Sequence, residues 1–363
     1  MSIQTKSPLA KYAFFAGIVA SAGIPLYVHL PAYLAERYGI GLETLGVLLL
    51  ALRLVDFVQD PALGWLLSRS HQRRGALIIV AVAMLASGMV GVFFVTAPFN
   101  PILWVTLSLI LTFTCFSFLA ILIYADGVQR GERTGHVRVA TWREAGTLIG
   151  ITGACVLPFI LPGNGYGGFA VIFAALLLLA HFGMRAHWSP VQVDLMPLRE
   201  ILRSSVIKRF LLLAFVNALP VAVTSTLFVF FVDFRLSLPG QAGLFLVVFF
   251  ICAAASTVFW QWLANRIGMI DALTTGMVLA IVSFVWAFTL STGDAMAFAI
   301  VCAASGAALG ADMVLLPALF AKKQSDLGSN PAMGFGFWNF ASKATLAVSA
   351  GVVLPLLTFA GFQ

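Results

Sequence analysis

Polar residues in this chain come in short clusters, and the stretches between them are almost wholly apolar. Each stretch runs for about twenty residues without strict alternation, the length a helix needs to cross ~30 Å of hydrocarbon. A membrane barrel would instead show ~10-residue segments of alternating polarity. The pattern predicts eleven helical spans, at 12–34, 43–68, 76–97, 101–125, 138–161, 167–184, 208–231, 240–264, 270–291, 295–320 and 332–359. Their connections are short. The longest, 185–207, carries Arg185, His187, Asp194, Arg199, Glu200 and Arg203. It divides six spans from five, giving a bundle over 1–184, a linker, and a second bundle over 208–363. The expected fold is an all-α polytopic membrane protein. If the second bundle repeats the first, a twelfth span is missing.

Composition agrees. Hydrophobic residues make up 61% of the 363 positions and charged residues 10%, against about 25% charged in a soluble domain. The net charge of +7 follows topology and implies no nucleic-acid partner. Of 21 Lys and Arg, sixteen fall on one side of the spans, two (Arg37 and Arg235) on the other, and three inside them. The positive-inside rule then puts the N-terminus and the linker in the cytoplasm and Gln363 outside. Lys6 and Lys11 precede an apolar run too long for a signal peptide and without a small-residue cleavage site, so it reads as a retained first span. Cys115, Cys155, Cys252 and Cys302 all lie in apolar spans and read as small buried hydrophobes. One internal echo supports two parallel repeats. Span 2 ends in GWLLSRSHQRRG and span 8 in QWLANRIG, each with Trp-Leu-x-x-Arg at a cytoplasmic boundary.

Candidate chemistry lies in the charges inside spans. Span 2 contains RLVDFVQDPALGW, with Arg53, Asp56 and Asp60 at i, i+3 and i+7, positions that share a helix face. At 1.5 Å per residue, Asp60 lies about 13 Å and Asp56 about 20 Å from the boundary at Arg69. Charge at such depth costs at least ~2.5–3.5 kcal/mol, so this face should look into the bundle. Pro61 removes a backbone hydrogen bond beside the carboxylate. Two carboxylates a turn apart suit H⁺ or Na⁺, with no other metal implied; the plainer reading is a buried ion pair with Arg53. Lys343 is the only charge in span 11 and is the candidate amine to neutralise them until a cation arrives. In span 5, VATWREAGTLIG holds Arg143 and Glu144, which as neighbours should face apart; Arg143 is expected inward and Glu144 near the cytoplasmic end. Asp312 in span 10 either meets substrate or pairs with Lys343. Trp142 and Trp338 offer rings for stacking on a sugar, or for packing. Asp126, ending span 4, reads as a surface charge.

RLVDFVQDPALGW resembles the span-2 signature of the glycoside–pentoside–hexuronide:cation symporters, the melibiose-carrier branch of the major facilitator superfamily. ERTGHVRVATWREAGTLIG resembles the loop 4–5 and span-5 start of that family, and the span-11 lysine matches too. The resemblance covers essentially the whole chain. It implies a major facilitator fold of two pseudo-symmetric bundles and a cation-coupled (H⁺ or Na⁺) symporter of a small organic solute, possibly a sugar or glycoside. It also implies an inner-membrane location, no cofactor and a monomeric state. Carried over by position, Asp56 and Asp60 would be the cation-site carboxylates, Lys343 and Arg53 their charge partners, and Arg143 a substrate residue with Asp312, Trp142 and Trp338 as further candidates. Sugar carriers of the family use acids in spans 1 and 4. Span 1 here has none, and span 4 offers Cys115, Phe116, Ser117 and Phe118 instead. That departure keeps open a lipid or lysolipid translocator of the same superfamily. A membrane enzyme is the remaining alternative, and the five scattered histidines give it no catalytic cluster.

Overall fold

A computed structural model describes residues 9–163, 165–189 and 198–359. Asp194 and Gln363 lie outside the described residues, as does Lys6. The described chain is helical throughout the expected spans. α1 (Leu9–Ser21) passes through a π-helical turn (Pro25–His29) into α2 (Leu30–Tyr38), and together they occupy span 1. Spans 2 to 6 are α3 (Leu42–Arg69), α4 (Arg74–Phe93), α5 (Pro101–Thr134), α6 (His136–Ile160) and α7 (Gly165–Met184). The short α8 (Leu198–Arg203) closes the linker. α9 (Ser205–Phe230), α10 (Ala242–Ile267), α11 (Met269–Phe288), α12 (Ala295–Asp326) and α13 (Pro331–Phe359) follow. Eight of these helices are long and apolar enough to cross a membrane. α3 is 28 residues long but carries Arg53, Asp56 and Asp60 mid-helix, which lowers its hydropathy without shortening it.

Helix crossings are set by small residues. On α6, Gly146 and Gly150 meet α1: a Cβ on Gly146 would lie 2.1 Å from the Ala13 carbonyl, and one on Gly150 2.0 Å from that of Gly17. On α12, Gly306 and Gly310 press in the same way on Phe249 and Ser256 of α10. Both pairs have the four-residue spacing that lets membrane helices approach backbone to backbone. The largest apolar core spans α1 to α7, a second joins α8 to α13 and reaches Val128 of α5 and Ala140 of α6, and a third lies among α10, α12 and the turn after α9. The bundles meet where α3 packs on α13 and α6 on α10.

The echo between spans 2 and 8 has a physical content. Arg69 stands over the Trp65 ring at 4.9 Å, and Arg266 over Trp262 at 4.5 Å. The same cation–π pair, one turn apart, ends both helices.

Asp126 departs from its expected surface position. α5 runs on to Thr134, so Asp126 lies two turns inside the helix and is fully buried. It pairs with Arg130 and, at 3.5 Å, with Arg74, and it accepts from the Ser189 amide at 2.8 Å. Arg130 also donates to the His187 carbonyl, and Arg74 to that of Ser189 at 3.0 Å. Hydropathy marks where α5 leaves the membrane, not where the helix ends.

Candidate functional site

Three helices build a charged cluster where the bundles meet. Asp56 and Asp60 on α3 are 3% and 0% exposed. Lys343 reaches them from α13, with Nζ 3.0 Å from Asp56 Oδ1 and 3.0 Å from Asp60 Oδ2. Ser117 on α5 completes the cluster, donating to Asp56 Oδ1 at 2.8 Å and accepting from Lys343 Nζ at 2.6 Å. All three ammonium hydrogens are therefore engaged. Gln59 and Thr114 extend the network at its edge. The approach is close because α3 and α13 meet through glycine. A Cβ on Gly64 would lie 2.5 Å from the Ala332 carbonyl, and one on Gly336 2.8 Å from that of Asp60. α3 stays helical through Pro61, and the Pro61 Cα forms part of the surface Gly336 rests against.

A second group lies across α5. Arg143 and Glu144 are both buried, and Arg143 Nε donates to Glu144 Oε1 at 2.7 Å. This corrects the expectation that the two face apart: the long arginine stem folds back along its own helix. Tyr124 explains the fold-back. Its hydroxyl donates to the same Glu144 oxygen at 3.1 Å, and its ring lies 3.9 Å below the guanidinium. Arg143 Nη2 is buried with no hydrogen-bond partner among the described residues. It lies in the wall of a cavity of about 330 Å³ between α1, α5, α6 and α10. The α1 wall is wholly apolar, Ala16, Val19, Ala20, Gly23 and Ile24, and Phe116 and Phe250 face it. Arg143, Tyr124 and Thr147 supply its polar atoms. Phe116 and Ser117 are sequence neighbours, so one turn of α5 touches both cavity and charged cluster.

The other sequence candidates fall elsewhere. Arg53 sits at an exposed position of α3, unlike the two buried carboxylates one and two turns below it. The first half of α3 has few covering neighbours, and Val47, Leu50 and Leu54 are exposed there as well. Asp312 lies in reach of Asn217 rather than of Lys343, and its Oδ1 has no partner among the described residues. Trp338 is buried, stacked on Phe320 at 4.8 Å. Trp142 is 41% exposed and lines a cavity with Arg138. Ser117 was noticed in the sequence only for standing where the family's sugar carriers have an acid. A serine in a phenylalanine-rich span gives no periodic signal of its own.

A family model described as MFS/sugar transport protein matches residues 12–363. The sodium-dependent lysophosphatidylcholine symporter 1 of Gallus gallus is 27% identical over 143 residues, 38% of this chain and 27% of that protein. The chain thus spans about a quarter of that curated relative's length. The E. coli fucose:proton symporter superposes with a TM-score of 0.73 at 16% identity, covering 97% of this chain and 90% of that one. A bacterial homologue of the iron transporter ferroportin, solved outward-facing, superposes at 0.71 and 16% identity, covering 99% and 92%. These two likenesses establish the shared fold.

Proposed function

This chain belongs to the MFS/sugar transport protein family, and on that premise we propose that it is a cation-coupled secondary transporter of a small organic solute. It works by alternating access, as a monomer of the inner (plasma) membrane, without a cofactor and without enzymatic activity. Asp56 and Asp60 take H⁺ or Na⁺, Lys343 is the amine displaced by that cation, and Arg143 meets the solute.

One observation carries this reading: an amine from the second bundle closes on two buried carboxylates and a hydroxyl of the first. Buried charge of this kind stabilises a fold weakly, because desolvation offsets most of the attraction. It does provide an exchange site. The Lys343 side chain is 20% exposed, the most accessible member of the cluster, and its departure would untie α13 from α3 and α5. Cation binding thereby shifts the balance between arrangements of the bundles, the differential affinity that coupling requires. The buried, unpartnered Nη2 of Arg143 supports the cavity as the solute site, since a buried donor without an acceptor is costly.

A lipid or lysolipid translocator is the second reading. The apolar α1 wall with its facing phenylalanines favours it, as does the likeness to a lysophosphatidylcholine symporter. The test is substrate-dependent uptake into vesicles holding the purified protein, driven by a Na⁺ or H⁺ gradient, across a panel of sugars and lysolipids. Asp56→Asn with Asp60→Asn is expected to abolish gradient-driven accumulation. Undiminished accumulation by that variant would sink the proposal.

A further inference from the structure

A second cavity, of about 680 Å³, opens at the cytoplasmic end between the two bundles and has no part in the transport reading. His136, Arg138 and Trp142 of α6 line one side, and Gln261 and Asn265 of α10 and Lys322 of α12 the other. None of Arg138, Lys322, Gln261 and Asn265 makes a hydrogen bond or ion pair with another described residue. Other cations of this end are held: Arg74 and Arg130 by Asp126, and Arg69 and Arg266 over tryptophan rings. Three acids lie near this end: Glu132 and Asp326 within electrostatic reach of His136, and Asp271 in the first turn of α11. Glu132 is held by the Ser325 hydroxyl at 2.7 Å, and neither it nor Asp326 lines the cavity. The first residues of α6 and α11 do line it, and neither helix start carries a side-chain cap. The free amides of α6 add positive potential to that of the cations, whereas Asp271 in the first turn of α11 offsets the contribution of that helix.

We infer that this cleft binds the phosphate headgroup of an anionic phospholipid of the cytoplasmic leaflet. Arg138 and Lys322 neutralise the phosphate, and Gln261 and Asn265 donate to its ester and polar headgroup oxygens. The surroundings argue for a lipid over a soluble anion. Trp142 is 41% exposed on the cavity wall, and Phe259 and Trp262 are 50% and 48% exposed on the neighbouring flank of α10. Such a tryptophan belt sits at headgroup depth, where acyl chains begin. Basic pockets between membrane helices on the cytoplasmic side are suited to such headgroups. The cleft exists only while the cytoplasmic ends of both bundles are together. A bound headgroup bridging Arg138 and Lys322 therefore favours that arrangement over one opened to the cytoplasm.

The test reads binding rather than transport, so it stands or falls separately from the transport proposal. The full chain, purified in detergent, is titrated with phosphatidylglycerol, with phosphatidylcholine and with inorganic phosphate, and adducts are counted by native mass spectrometry. Phosphatidylglycerol should bind well ahead of the other two. Arg138→Gln with Lys322→Gln should weaken it on the order of thirtyfold, at roughly fivefold per cation, while Arg138→Lys with Lys322→Arg should retain the preference. If the neutral pair does not fold, Asn265→Glu puts a repelling charge in the same cleft and should reduce binding likewise. Three results would overturn the inference: equal binding of both lipids, phosphate binding as tightly as phosphatidylglycerol, or an unchanged preference in the folded Arg138→Gln with Lys322→Gln variant or in Asn265→Glu.

Discussion

Replacing Lys343 by methionine keeps the length of the side chain and removes the ammonium from Asp56 and Asp60. At 3.0 Å and an effective dielectric near 20, each contact has a Coulomb energy of about 5 kcal/mol. Much of that is offset by the desolvation of the ions, and breaking a buried pair by removing one partner costs ~3–5 kcal/mol. Two outcomes follow from this size. Without a cation, Lys343→Met should melt lower than the parent, and adding Asp56→Asn should recover part of the loss, since the neutral amide no longer needs the amine. With a cation, the sign reverses. If Lys343 competes with Na⁺ or H⁺ for the carboxylates, its removal should tighten cation binding. A competition worth ~3 kcal/mol corresponds to about a hundredfold. The assay is melting temperature of the purified protein against Na⁺ concentration at fixed pH, and against pH at fixed Na⁺. Greater stabilisation of Lys343→Met than of the parent by either ion identifies that ion as the competitor. Equal stabilisation of both proteins by both ions would refute the exchange argument.

Other outcomes are equally open to measurement. Ser117→Ala removes one bond to each charged partner, so it should cost about 1.5–3 kcal/mol at the cluster, read as a shift in the half-saturating cation concentration for uptake. Gly336→Val places a branched side chain against the Asp60 carbonyl; it should prevent α13 from closing on α3 and raise thiol labelling of a cysteine introduced in that interface. Arg143→Lys keeps the charge but loses the flat fork over Tyr124, and should raise the half-saturating solute concentration more than it lowers the maximal rate. Asp126→Ala leaves Arg130 and Arg74 buried without their carboxylate, so it should destabilise the folded protein by about 3–5 kcal/mol while leaving the cation response of the remaining folded fraction unchanged.

The spans were legible because hydrophobic length is a strong signal, and most helix ends fall within a few residues of the expected stretches, α5 and α12 running further. Asp56 and Asp60 were legible for the converse reason: buried charge is so costly that its position and spacing constrain the face it lies on. Lys343 was legible as their partner because it is the only charge in span 11 and matches the span-11 lysine of the family the chain resembles. What hydropathy does not carry is lateral arrangement. Ser117 faces the cluster because of how α5 is rotated between α3 and α13, and serine is cheap enough in a membrane to leave no trace. Arg143 and Glu144 were misread because helix periodicity describes Cβ directions, whereas a six-atom side chain can turn back on its own helix when an aromatic ring supports it. Arg53 obeys the periodicity and still differs from its neighbours, because the cover over a helix face changes along its length.

The position of α5 gives the coupling a physical route. Ser117 reports whether Lys343 is in place, and the residue before it, Phe116, forms the wall of the cavity where Arg143 waits. Two turns further along, Tyr124 holds Glu144 and supports the Arg143 guanidinium. A rotation or shift of α5 that follows the loss of Lys343 would therefore move the phenylalanine and the tyrosine together, changing cavity shape and arginine orientation at once. The ion and the solute need share no atom. In the proposed mechanism they share a helix, and what one binding event does to its position would set the affinity available to the other.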